Sequence, residues 1–202
     1  MVLARMIVKW VALAAAVAVP IIAAAASPQL AWRQPVYIVA GFAGVIALGL
    51  LLVQPALIGG HLSGLTPERA RKVHRWIGGA LVATVMMHVG GLWITSPPDM
   101  IDALLFASPT PFSAWGVIAM WAIFATALLA ALRRRLRLRP HMWRIGHAFL
   151  AAIVVVGSVV HALLIEGTME TASKVALSVL VLAATLKILV DVWIGTNRRT
   201  PR

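Results

Sequence analysis

The sequence has no cysteine, a single tyrosine and only six acidic residues among 202. Without cysteine there is no disulfide, no thiolate-bound metal and no iron–sulfur cluster. Charge of either sign is scarce: Asp, Glu, Lys and Arg make up 12% of the chain, about half the share found in soluble domains. What is present instead is apolar, 61% of all residues, in long runs separated by short polar connections. That pattern belongs to integral membrane proteins. The shortage of acids leaves a formal net charge of +12. Such a balance would suit a nucleic-acid binder, but the positions of the cations argue otherwise.

Stretches of about twenty apolar residues fall at 6–26, 36–58, 74–94, 113–132, 146–165 and 172–194. Turn-rich pieces such as "SPQLAWRQP", "TSPPDM" and "RRRLRLRPHMWR" separate them. The sequence therefore predicts an all-α integral membrane protein, a six-transmembrane-helix bundle forming one domain over 1–202. Fifteen of the 18 basic residues fall on one side of such a bundle. They are Arg5 and Lys9; Arg69, Arg71, Lys72 and Arg75; Arg133, Arg134, Arg135, Arg137, Arg139 and Arg144; and Arg198, Arg199 and Arg202. The other side has Arg33 and Lys174, and Lys187 lies within the last span. The positive-inside rule then places both termini in the cytoplasm. The cations report topology, so the expected partner is the lipid bilayer and not nucleic acid. Abundant alanine and an excess of arginine over lysine hint at a GC-rich bacterial genome, hence a bacterial cytoplasmic (inner) membrane. The first span, with its basic start and small residues near Ala26, also has the look of a secretory signal peptide. Its apolar region is long for one, and an even number of spans needs it retained.

Two spans share an unusual feature. "HRWIGGALVATVMMH" runs from His74 to His88, and "HAFLAAIVVVGSVVH" from His147 to His161. Fourteen residues of α-helix rise about 21 Å and return to within about 40° of the same direction. Both histidines of a pair thus face the same way, one near each edge of the hydrocarbon layer. The two spans are separated by one other, so they run parallel: His74 lies level with His147, and His88 with His161. Facing helices would oppose two imidazoles at each of two heights. Zinc fits poorly, because it wants four ligands and each level offers two. Haem iron already has four porphyrin nitrogens and needs two axial ligands. Gly78, Thr84, Ala151 and Gly157, each four residues from a histidine, share its helical face and are expected to leave room for a flat ring. Close helix packing is the competing use of small residues.

The paired His-x13-His spans, "HRWIGGALVATVMMH" and "WRIGHAFLAAIVVVGSVVH", resemble the ferric reductase-like transmembrane domain. That superfamily includes ferric reductases, the membrane part of NADPH oxidases and the haem subunit of bacterial methionine sulfoxide reductase systems. The resemblance implies two haem b groups stacked across the membrane, the inner on His74 and His147, the outer on His88 and His161. The larger members carry a flavin- and nicotinamide-binding domain after the last span. Here the sequence runs eight residues past Ile194 with no G-x-G-x-x-G opening a βαβ unit. The expected donor is therefore a separate one, a flavin reductase supplying flavin or a quinol. The expected acceptor lies at the outer face, ferric iron or a periplasmic oxidoreductase.

Bis-histidine iron has no open position, which points to outer-sphere electron transfer rather than direct substrate binding. Arg75 and Arg144, with Arg71, stand where propionates of the inner haem would emerge; anchoring at the interface is their plainer role. Asp99, Asp102, Glu166 and Glu170 make the outer side acidic, and residues 99–106 are expected to form a short helix over the outer haem. Trp93, Trp143 and Trp193 lie near span ends, as interfacial tryptophans do. His61 and His141 read as surface residues, and Lys187 with Asp191 as a helical i, i+4 pair. Two other functions fit parts of the pattern: a quinol-linked cytochrome b of the b561 or hydrogenase kind, and a haem-free transporter using the histidines as a metal or proton path.

Overall fold

In the computed structural model, residues 2–60 and 62–197 are described, and every regular element among them is helical. The seven α-helices are α1 (Val2–Ala25), α2 (Pro35–Ile58), α3 (Pro67–Thr95), α4 (Pro97–Leu104), α5 (Pro111–Leu132), α6 (Pro140–Leu164) and α7 (Thr171–Asn197). All but the short α4 are long and apolar enough to cross a membrane. The six expected spans are all present.

Five helices, α2 to α6, have proline as their first residue. At that position the missing N–H costs nothing and the fixed φ already suits a helix. This accounts for a difference from the apolar stretches: α3 starts at Pro67 and not at 74, and α6 at Pro140 and not at 146. The hydropathy pattern marks where lipid would begin. The backbone coils two turns earlier, through the polar segment, with Thr66 accepting from the Arg69 amide at 3.3 Å to start α3. His74 and His147 consequently lie seven residues inside their helices, in both cases after the opening proline.

Packing follows the chain order. α2 lies along α3 and α5 along α6, two antiparallel hairpins. α7 packs against α2 and α6 and closes one side, and α1 lies outside α2 and α7. The core runs through Leu48, Leu51, Val85, Ile123, Val155, Leu177 and Val181. In the α2–α3 connection, Gly60 and Gly64 have φ of 65° and 93°, the left-handed region that glycine enters without strain. Because neighbouring spans alternate in direction, the arginines of 69–75 and 133–144 gather at one end of the bundle. α4 and the residues around Glu170 lie at the opposite end.

Candidate cofactor site: two tiers of facing histidines

α3 and α6 are not packed along each other, yet their histidines meet. At the arginine-rich end the ring centres of His74 and His147 are 6.1 Å apart, with planes inclined at 68°. At the opposite end those of His88 and His161 are 6.3 Å apart, inclined at 80°. The pairs are those expected from spacing and depth. An axial imidazole pair, with metal–nitrogen bonds of about 2 Å and about 1 Å from each nitrogen to its ring centre, has its centres about 6 Å apart. Both tiers match. Among the described residues no three His, Asp or Glu side chains converge on a point, so the chain offers two ligands per tier, too few for a bare metal ion. A group that brings its own equatorial ligands fits the donor set.

The distal tier, His88 with His161, is built in detail. Nδ1 of His88 donates to the Ala40 carbonyl at 2.7 Å, and Nδ1 of His161 to the Phe112 carbonyl at 2.8 Å. A carbonyl oxygen can only accept, so Nδ1 carries the proton and Nε2 keeps its lone pair. This is the tautomer a metal ligand needs, and such a partner also fixes the ring's orientation. Both carbonyls belong to the helix preceding the histidine's own. Four residues on from each stands a glycine, Gly44 after Ala40 and Gly116 after Phe112. A Cβ on Gly44 would lie 3.1 Å from the His88 Nδ1, and one on Gly116 only 2.7 Å from the His161 Nδ1. The two hairpins thus repeat one device: a bare helical turn that lets an imidazole reach a main-chain carbonyl.

A cavity of about 450 Å³ surrounds this tier, lined by His88, His161, Gly41, Gly44, Gly116 and apolar residues of α2, α3 and α5. α4 lines the cavity at the end away from the arginines, through Asp99, Met100 and Ala103, close to where the short helix was expected. The clearance does not come from the small residues expected to give it. Neither Thr84 nor Gly157 lines the cavity. A Cβ on Gly157 would meet Ala119 Cβ and the Trp115 carbonyl, both at 3.1 Å, so this glycine lets α6 approach α5. Gly78 faces the Gln54 amide nitrogen, 3.3 Å from where its Cβ would be. Competing packing demands explain the difference: on α3 and α6 small residues serve the hairpin contact, while α2 and α5 supply the bare turns.

The proximal tier, His74 with His147, is looser. Nδ1 of both histidines is buried without a well-formed hydrogen bond among the described residues, the Gln54 backbone making only a weaker approach to His74, and Oε1 of Gln54 is likewise unpaired. Its support is aromatic. The Trp143 indole stacks on His147 with centres 5.1 Å apart and planes inclined by 23°, and the Arg133 guanidinium lies over Trp143 at 4.9 Å. Sequence position had suggested an interfacial anchor for Trp143. Its i, i+4 spacing to His147 was the available signal for this contact.

Arg75 and Arg144 are exposed, and Arg71 pairs with Glu68 at 3.2 Å. At the opposite end two of the four acids have local duties. Asp99 accepts from the Ser96 hydroxyl, and Glu170 accepts from the amides of Ala172 and Ser173 at 2.7 Å each, capping α7. Lys187 and Asp191 form the expected pair at 2.7 Å. His141 is exposed. His61 and the arginines at 198, 199 and 202 lie outside the described residues, as does the side chain of Trp193.

Fold and site together define a class: a multi-pass helical membrane protein with opposed imidazoles at two depths. The family model for the ferric reductase like transmembrane component matches residues 39–158, more than half of the chain, and the chain belongs to that family. It is accordingly a membrane electron-transfer component of a family that is generally haem-binding. The match takes in His74, His88 and His147 and stops three residues short of His161. No curated protein and no solved structure matches the chain.

Proposed function

We propose that this chain is a b-type cytochrome of a bacterial inner membrane. It passes electrons from a donor at the cytoplasmic face, or from a quinol within the bilayer, to an acceptor at the outer face. His74 and His147 would hold one haem b, and His88 and His161 a second. Bound there, each haem would supply a one-electron carrier. The observation that carries this reading is the pair of matched ring separations, 6.1 and 6.3 Å, with both distal rings locked by main-chain carbonyls.

The protein's own work is to hold ligands still and exclude water. The Ala40 and Phe112 carbonyls keep both distal Nδ1 atoms protonated and make the rings more basic ligands. Apolar walls from α2, α3 and α5 keep the surroundings low in dielectric, which lets a few fixed charges set the potential. Arg75 and Arg144 are the candidates to meet carboxylates of the proximal haem, through charge-assisted hydrogen bonds. With cationic loops facing the cytoplasm, an acidic flavin reductase is the favoured donor. Ferric iron or a periplasmic oxidoreductase is the proposed acceptor.

A pyridine haemochrome assay tests this. The purified chain should carry two haems, falling to about one in His74→Ala and in His88→Ala. A protein isolated without haem after haem-replete expression would overturn the reading and leave the transporter alternative.

A further inference from the structure

Lys174 stands in the first turn of α7, within an apolar helix, and is only 7% exposed. Its ammonium donates to the Ile165 carbonyl at 2.6 Å. Ile165 follows His161 by one helical turn, so the charge sits just beyond the distal imidazole. An ammonium has three N–H donors, and that carbonyl is its one acceptor among the described residues. No described carboxylate lies within ion-pair distance of it. Glu170, four residues earlier, is near enough to feel this charge, but it directs its oxygens to the amides of Ala172 and Ser173 and makes no ion pair with it.

Capping the end of α6 accounts for one donor and leaves two. A desolvated ammonium without an anion in contact is costly, and intramembrane cations as a rule meet a partner. The open direction is the cavity: Lys174 lines it along with His88 and His161. Thr168, also 7% exposed, lines it too and brings a hydroxyl that can donate. The site therefore presents a buried cation and a neutral donor in a largely apolar cavity, with an imidazole one turn away; the one carboxylate in the lining, Asp99, accepts from the Ser96 hydroxyl.

We propose that Lys174, assisted by Thr168, is a carboxylate receptor at the outer end of the distal cavity. The carboxylate is a propionate of a porphyrin seated between His88 and His161, or it belongs to a carboxylate-chelated ferric acceptor entering from outside. The first source rests on the haem reading above; the second does not.

The test uses the full-length chain in lipid nanodiscs, with Lys174→Gln, Lys174→Met and Lys174→Arg. Glutamine keeps a donor for Ile165 and removes the charge, so it reports on charge even where methionine prevents folding. If the carboxylate is a propionate, Lys174→Gln brings the haem count from two toward one, or lowers the distal midpoint potential where haem stays bound. Removing a nearby cation favours the oxidised state, which sets that sign, and Lys174→Arg restores both readings. If it belongs to the acceptor, haem count and potentials stay unchanged. KM for ferric citrate then rises about tenfold, equivalent to about 1.4 kcal/mol, and KM for hexaamminecobalt(III) does not move. A haem-replete protein in which Lys174→Gln alters none of these overturns the proposal alone. A wild-type chain without haem, whose reduction of ferric citrate is indifferent to Lys174→Gln, overturns it together with the haem reading.

Discussion

At Gly44 and Gly116 a hydrogen atom stands where any other residue would put a carbon against an imidazole. Alanine at Gly116 would bring its methyl to 2.7 Å from the His161 Nδ1 and 2.9 Å from Cε1, and at Gly44 to 3.1 and 3.2 Å from the same atoms of His88. Ring or helix must shift, and overpacking of this kind costs about 1–3 kcal/mol. Gly116→Ala should therefore lower both the melting temperature and the haem content, toward one per chain, with Gly44→Ala milder. Gly79→Ala and Gly90→Ala, whose Cβ atoms would have nothing within 4 Å, should match wild type in both measurements. Trp143 carries a second residue-scale expectation. Trp143→Leu removes the ring stacked on His147, a contact worth about 0.5–1.5 kcal/mol beyond its area. Haem should leave the proximal tier faster when apomyoglobin is added as a trap, with the distal tier unaffected.

Helix ends decide how firmly α7 closes the bundle. Glu170 supplies the cap, accepting from two amides and from the Ser173 hydroxyl. The Ser173 bonds first, and that to Ala172, hold its carboxyl below the usual carboxylate range. The folded value thus lies beneath the unfolded one, so the cap's contribution is present at neutral pH and is lost as pH falls through the folded value. Protection of the amides in the first turn of α7, taken relative to their intrinsic exchange rates at each pH, should hold from pH 7 through the ordinary glutamate range and fall only below it. Glu170→Ala should show fast exchange in that turn at pH 7 while α2 and α3 keep their protection. Uniform loss of protection across all helices on acidification would show that the cap is not the group responsible. The proline starts explain why α3 and α6 extend two turns beyond their apolar stretches: a helix needs a start signal and not a hydrophobic one.

Across the whole molecule the two tiers are unequal. The distal rings have well-formed bonds to main-chain acceptors and a largely apolar cavity, while Nδ1 of His74 and of His147 has no well-formed hydrogen bond among the described residues. Partners of this kind typically change metal affinity 10–100-fold. Stepwise addition of mild denaturant should thus release haem in two phases, the proximal tier first, and in His74→Ala the first phase should vanish. Orientation can be read independently, because the native chain has no cysteine. Single cysteines at Arg135 and at Asp102 should react with an impermeant maleimide from opposite sides of the membrane, Asp102 from outside, if the positive-inside reading holds.

The sequence alone determined the six spans, the matched histidine pairs and the family, because each rests on a one-dimensional regularity: apolar run length, a fourteen-residue spacing near four whole turns, and a motif carried by residues in chain order. Trp143 against His147 was within reach of the same logic. Only the tertiary structure decided which atoms hold the imidazoles. The Ala40 and Phe112 carbonyls carry no mark in the sequence, since every residue has one. That Gly44 and Gly116 sit beneath the rings while Gly157 sits in a helix contact depends on how neighbouring helices are rotated and slid against each other. Those two degrees of freedom are set by side-chain packing between distant segments, and no local pattern encodes them.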